Sequence, residues 1–225
     1  MSIHIPLRDT VDMYWSGGWD STFYLLYLLS QTTKTIRAFY VEPVRRKTRE
    51  LELAAIHVIL DTFTQEWLNR LTVSIVERPA PPRGGNFYCE EVREVILKTP
   101  NESYETIVPQ LDLFVYLTQI MDIVKPAYGI ETPVVKTRGC FERIEKHVQA
   151  DGSLSNTCDK KWHVLQSLSF PLIHLKKTDM LRMAQDHKFI DILKLSTSCL
   201  DGTGCRKCDA CHDIIEIPEM QFRLM

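Results

Sequence analysis

Ser16-Gly17-Gly18-Trp19-Asp20-Ser21-Thr22 joins an apolar run, Val11 to Trp15, to an apolar stretch with helical character, Phe23 to Leu29. A strand, a glycine turn and a helix in that order form a cradle for an anion. Glycine lets the backbone turn tightly and come close to a ligand. The first N–H groups of a helix have no carbonyl within it to bond, and its dipole is positive there. Phosphate is the usual occupant of such a site. Ser16, Ser21 and Thr22 add hydroxyl donors, and Trp15 and Trp19 flank the turn. The sequence has no G-x-x-x-x-G-K-[ST] and no G-x-G-x-x-G, so neither the common NTPase loop nor the dinucleotide fingerprint is present. The plainer alternative is a strand–helix turn in which Asp20-Ser21 caps the helix.

A second group of residues with chemistry is Cys199-Leu-Asp-Gly-Thr-Gly-Cys205-Arg-Lys-Cys208-Asp-Ala-Cys211. Two overlapping C-x-x-C units share Cys208. Gly202 and Gly204 let the chain fold back so that Cys199 joins them. Four thiolates at this spacing suit tetrahedral zinc, and a closed shell of four sulfurs makes the role structural. An iron–sulfur cluster and a redox pair are the rival readings. Cys89, Cys140 and Cys158 stand alone and read as small packing residues. The seven histidines show no H-E-x-x-H, so no catalytic metal site is expected.

The elements that must position these groups alternate. Strands are expected at Val11–Trp15, Thr35–Val41, Leu71–Val76, Phe170–Leu175 and, briefly, Ala127–Ile130. Helices are expected at Ser21–Leu29, Arg49–Trp67, Tyr88–Lys98, Leu111–Val124 and Lys177–His187, the last capped by Thr178 with Asp179 in its first turn. Pro79 to Gly85 reads as a loop. The pattern implies an α/β fold with a doubly wound parallel sheet. Ligands bind such sheets beyond the carboxyl ends of the strands, where the Ser16–Ser21 loop falls.

The 225 residues suit one α/β domain, 1–195, with a C-terminal four-cysteine zinc segment, 196–225, packed on it. The net charge of -2 gives no bulk basic field for nucleic acid. No apolar run approaches the ~18 residues that cross a bilayer. No secretory signal is visible, and the odd cysteine count points to a reducing, cytoplasmic compartment. Arg45, Arg46, Lys47 and Arg49 form a basic run that reads first as a solvated surface and second as a contact for phosphate or an acidic substrate.

S-G-G-x-D-S resembles the pyrophosphate loop of the PP-loop ATP pyrophosphatase (adenine nucleotide alpha hydrolase) superfamily. Together with the cysteine cluster it resembles the 7-cyano-7-deazaguanine synthase (QueC) family. Phe170-Pro171-Leu172-Ile173-His174-Leu175-Lys176-Lys177 is similar to that family's P-L-x-x-L-x-K stretch, Ser196-Thr197-Ser198-Cys199 to its T-x-S-C, and Cys205 to Cys211 to its C-G-x-C-D-x-C. Val108-Pro109 before an apolar helix resembles its V-P-x-R-N. Two stretches depart. Val41-Glu42-Pro43-Val44-Arg45 follows Tyr40 where the family has G-Q-R-H, and Gln110-Leu111-Asp112 replaces the Arg-Asn pair. Both family stretches lie near the substrate.

The resemblance implies an ATP-dependent carbon–nitrogen ligase that forms AMP and pyrophosphate. A deazapurine carboxylate of the 7-carboxy-7-deazaguanine type is adenylated, and ammonia then gives the amide or the nitrile of queuosine biosynthesis. ATP, Mg2+ and structural Zn2+ are the implied cofactors. Trp15, Ser16, Gly17, Gly18, Trp19, Asp20, Ser21 and Thr22 hold the nucleotide in this reading, with Ser16, Asp20 and Lys176 as the catalytic set. A homodimer is implied, with no membrane or nucleic-acid partner. Two other functions stay open: an RNA-thiolating PP-loop enzyme working through Cys140 or Cys158, and a QueC-like nucleotide-binding protein acting on another acceptor or partner.

Overall fold

A computed structural model describes residues 3, 5–42, 48–79, 104–121, 144–158 and 160–197. Strand β1 (Thr10–Tyr14) leads through the glycine turn to helix α1 (Trp19–Gln31), then to β2 (Thr35–Val41). Helices α2 (Arg49–Leu60) and α3 (Gln65–Arg70) precede β3 (Leu71–Val76). Helix α4 (Tyr104–Ile120), a 3-10 helix (Lys160–Ser167), α5 (Lys177–Asp186) and the short α6 (Ile190–Leu193) follow. Among the described residues the sheet has three parallel strands in the order β1-β2-β3.

Side chains alternate across these strands with the two-residue period of a pleated chain. Val11, Met13, Ile36, Ala38 and Tyr40 face one core, shared with α1, Ile56 and Ile59 of α2, and Met180 and Leu181 of α5. Tyr14, Phe39 and Val41 face the other, shared with Leu113, Phe114 and Leu117 of α4 and with Ile144, Val148, Leu165 and Leu168. Both faces of the sheet are therefore covered. Asp12 lies on the second face and is buried, and Arg37, its register partner on β2, meets it with a two-pronged contact of 2.6 and 2.8 Å. That fork matches a carboxylate and fixes the register of β1 against β2.

Helix α1 is enclosed along its middle. Phe23, Tyr24, Leu25, Leu26, Leu28 and Leu29 are all buried. Each such aliphatic or aromatic burial contributes about 1.5–3 kcal/mol. Arg70 holds the tail of α1: its guanidinium donates to the carbonyls of Leu29 and Thr32 at 2.6 Å each. A cation at a helix C-terminus is favoured by the dipole.

Several expected elements differ. The helix expected over Arg49–Trp67 breaks into α2 and α3, because Thr62 and Phe63 bond back to Ile59 and Leu60 and Thr64 then caps α3 through its hydroxyl. The strand expected at Phe170–Leu175 is a run of turns, with Ile173 N–H to Phe170 and Leu175 N–H to Leu172. Its continuous apolarity has another cause. Phe170 and Ile173 enter one core while Leu172 and Leu175 enter the other. Helix α5 is capped by Lys176 rather than Thr178, with the Asp179 carboxylate accepting the Lys176 N–H at 3.3 Å. Helix α4 begins at Tyr104, ahead of Pro109. The helix expected at 88–98, the strand at 127–130 and most of the loop at 79–85 lie outside the described residues. No helix among the described residues is long and apolar enough to cross a membrane.

Burial raises the phenols of Tyr14, Tyr24 and Tyr40 above the ordinary value of 10.0, and for Tyr40 the Glu52 carboxylate adds to the effect. The native state then keeps protons that the unfolded chain releases. This contribution to stability is complete below about pH 10 and falls as the pH rises beyond it. In an alkaline titration these three phenols should ionise together with the loss of helical circular dichroism. Their ionisation while the dichroism stays native would contradict this packing.

Candidate functional site

The turn between β1 and α1 is built by a few short contacts. The ladder with β2 runs past the end of β1, since Trp15 N–H donates to the Phe39 carbonyl at 3.0 Å. Trp15 is fully buried, and its indole N–H donates to Thr22 Oγ1 at 3.0 Å, tying the strand's end to the helix's first turn. Gly17 takes φ +70°, a left-handed conformation that glycine adopts without strain. It also sits against α2: a Cβ there would stand 2.9 Å from the Glu52 carbonyl oxygen and 3.1 Å from Ile56. Gly18 is the N-cap of α1 and brings no side chain over the helix end. The Gly18 N–H donates to Ser16 Oγ at 3.3 Å, and Ser21 Oγ donates to the Gly18 carbonyl at 3.3 Å. The Ser16 and Ser21 hydroxyls lie 3.3 Å apart.

The first bond along the helix is Thr22 N–H to Gly18 at 2.9 Å. Helix geometry therefore aims the N–H groups of Trp19, Asp20 and Ser21 out of its end. Ser16, Gly18 and Asp20 are half-buried at this head, whereas Trp19, Ser21 and Thr22 are buried. Trp19 packs in the core beneath the loop rather than over it.

Behind the loop stands a buried acid. Glu52 is buried, and its carboxylate accepts the Tyr40 hydroxyl and the Thr48 hydroxyl, each at 3.0 Å. Those contacts fix the start of α2, the helix that Gly17 touches.

The cation at the loop is Lys177. Its ammonium lies 2.8 Å from Asp20 Oδ1, with the lysine side chain 7% exposed and the aspartate 24%. Lys176, the lysine the sequence favoured, is exposed and serves α5 as its backbone cap. Two adjacent lysines are alike in the sequence; the start of α5 decides which one turns inward. A second residue that the sequence reading did not place at the loop is Thr197. Its N–H donates to the Gly17 carbonyl at 2.8 Å, and it runs parallel to Gly18 as an isolated bridge. A backbone contact of this kind leaves no trace in residue type.

Cys199, Cys205, Cys208 and Cys211 lie outside the described residues, as do Cys89, Cys140 and the basic residues Arg45, Arg46 and Lys47. Arg49 pairs with Glu42 at 3.3 Å at the surface. Cys158 is buried, a poor position for a working thiol. Asp112, one of the residues departing from the QueC pattern, is fully buried. No cluster of three or more metal-ligating side chains occurs among the described residues.

A family model described as "Queuosine biosynthesis protein QueC" matches residues 146–214. The matched part holds Lys177 and Thr197, both of which touch the loop, and all four clustered cysteines. A search of the curated proteins finds no match to the chain.

Two substitutions check this geometry. Gly17→Ala should lose roughly 2–4 kcal/mol in denaturant unfolding, from backbone strain plus the clash with Glu52. Lys177→Met should lose about 1–3 kcal/mol by leaving a partly buried carboxylate without its cation, while Lys176→Ala should change stability by less than about 0.5 kcal/mol. Equal effects at the two lysines would contradict the placement.

Proposed function

We propose that the chain is a QueC-like, AMP- and pyrophosphate-forming carbon–nitrogen ligase. The observation that carries this reading is the turn from Trp15 to Gly18, which leads into the head of an enclosed helix with Lys177 beside it. The partial match to the QueC family model supports it. The outer two phosphates of ATP meet the N–H groups at the head of α1 and the hydroxyls of Ser16 and Ser21. These donors are held in place before ATP arrives, so little reorganisation opposes the charge that develops in the transition state. Lys177 holds the Asp20 carboxylate at the same end.

The chemistry is written for a carboxylate acceptor of the 7-carboxy-7-deazaguanine type. A carboxylate oxygen bonds to the α phosphorus, the bond from that phosphorus to the bridging oxygen breaks, and pyrophosphate leaves. Ammonia then bonds to the acyl carbon, AMP leaves with the C–O electron pair, and a proton is lost to give the amide. A second adenylation, on the amide oxygen, releases another pyrophosphate; loss of AMP with the C–O electron pair and of both protons from the nitrogen then gives the nitrile. Positioning accounts for most of the acceleration, and no nucleophilic side chain is required.

The loop suits magnesium: one carboxylate, Asp20, lies beside the phosphate donors, and this ion keeps mostly water and phosphate oxygens. Bound there, it would neutralise charge on the departing pyrophosphate. The donor chemistry of Cys199, Cys205, Cys208 and Cys211 suits zinc, which would order the C-terminal segment without entering the reaction. The altered stretches after Tyr40 and Pro109 assign the variation to the acceptor side. A homodimer in the cytoplasm accompanies this proposal.

With Mg-ATP, ammonia and 7-carboxy-7-deazaguanine, the purified protein should yield AMP and pyrophosphate along with amide or nitrile. Asp20→Ala should reduce AMP formation at least a hundredfold with the dichroism unchanged. ADP as the nucleotide product, or near-native AMP formation by Asp20→Ala, would overturn the proposal.

A further inference from the structure

The Gly17–Gly18 peptide is held at both of its polar atoms. Its carbonyl oxygen accepts the Thr197 N–H at 2.8 Å. Its N–H, on Gly18, donates to Ser16 Oγ at 3.3 Å. In a trans peptide the two groups point in opposite directions, so fixing one aims the other. Neither glycine has a side chain to hold that plane, and Gly17 lies in a region where glycine has wide freedom. Within the loop the plane is held by the 3.3 Å contact to Ser16, and the shorter contact, at 2.8 Å, comes from outside the loop.

Thr197 is well placed to supply it. Ser196, just before it, is buried and doubly tied to the Leu193 carbonyl: its hydroxyl donates at 2.7 Å and its N–H at 3.1 Å. Leu193 is itself fully buried in the core that holds α1. The Thr197 carbonyl oxygen lies 3.6 Å from where a Gly18 Cβ would stand, so the two backbones are in close contact. The donor is thus anchored in the same core as the helix head it serves.

We infer that Thr197 is a positioning residue of the nucleotide loop: its backbone N–H sets the plane of the Gly17–Gly18 peptide and with it the aim of the donors that meet the outer phosphates. The inference rests on the ATP reading of the loop. It assigns the work to the main chain, so side-chain replacement at 197 is tolerated and loss of the N–H is not. The nucleotide site is then discontinuous, with a part supplied from the stretch that leads into the cysteine cluster.

The test replaces residue 197 twice. Thr197→Val keeps the N–H. The α-hydroxy acid counterpart of valine, incorporated at the same position, puts an ester oxygen in its place. Calorimetry with Mg-ATP should give native affinity for the valine variant and affinity about five- to tenfold weaker for the ester, the size of one lost hydrogen bond. KM for ATP should rise by the same factor while kcat changes less. Equal affinity for the two would overturn the inference, since a merely structural bond lowers the melting temperature without moving ATP binding.

If the ester does not fold, hydrogen exchange on the unsubstituted protein decides. Saturating Mg-ATP should slow exchange at the Thr197 N–H, because coupling between two sites is reciprocal. Exchange unchanged by ATP would overturn the inference. An unsubstituted chain that binds no ATP overturns the functional reading and this inference together. ATP binding that is indifferent to the ester overturns the inference alone.

Discussion

A helix surrounded by protein along its middle has polar backbone groups to satisfy only at its ends. For α1 the tail is satisfied within the chain, through the Arg70 guanidinium on the Leu29 and Thr32 carbonyls. The head is closed by no side chain of its N-cap residue, because that residue is Gly18. The fold therefore presents a fixed, positive group of N–H donors at the carboxyl edge of a parallel sheet. Much of the surrounding architecture serves to keep that head in place. The Asp12–Arg37 fork sets the register of β1 against β2, the Trp15–Thr22 contact ties strand to helix, and Gly17 lets the turn lie flat on α2.

The site is assembled from distant parts of the chain. Tyr40, Thr48 and Glu52 hold α2 against the turn from one side. Lys177 and Thr197 reach it from the other, one through an ammonium and one through a backbone N–H. The stretch that matches the QueC family model, 146–214, therefore includes residues that complete a loop formed near residue 17. A part of the chain remote in sequence from the glycine turn carries structural demands of that turn.

Much of the fold was legible in the sequence. Thr35–Val41 and Leu71–Val76 appear as strands residue for residue, since β-branched and aromatic residues are dense there and bounded by polar ones. Lys177–His187 shows a helical period, and α5 ends one residue sooner. The Phe170–Leu175 stretch misled because a short apolar run has no period of its own, and a chain threading between two cores needs apolar residues on every side. The turn itself was legible in Ser16 to Thr22, whose residue types give a glycine turn and a helix start. The site was not legible where geometry carries it. Which of two adjacent lysines points inward depends on where a helix begins, and a backbone donor such as Thr197 is offered by any residue except proline.

The central claim is that the head of α1 receives the outer phosphates of ATP. A crystal structure with magnesium and a non-hydrolysable ATP analogue tests it most directly. The account predicts β and γ phosphate oxygens within hydrogen-bond distance of the N–H groups of Trp19, Asp20 and Ser21, with the α phosphorus open toward the carboxyl edge of the sheet. A triphosphate bound elsewhere, with the Gly17–Ser21 turn left to solvent, would contradict it.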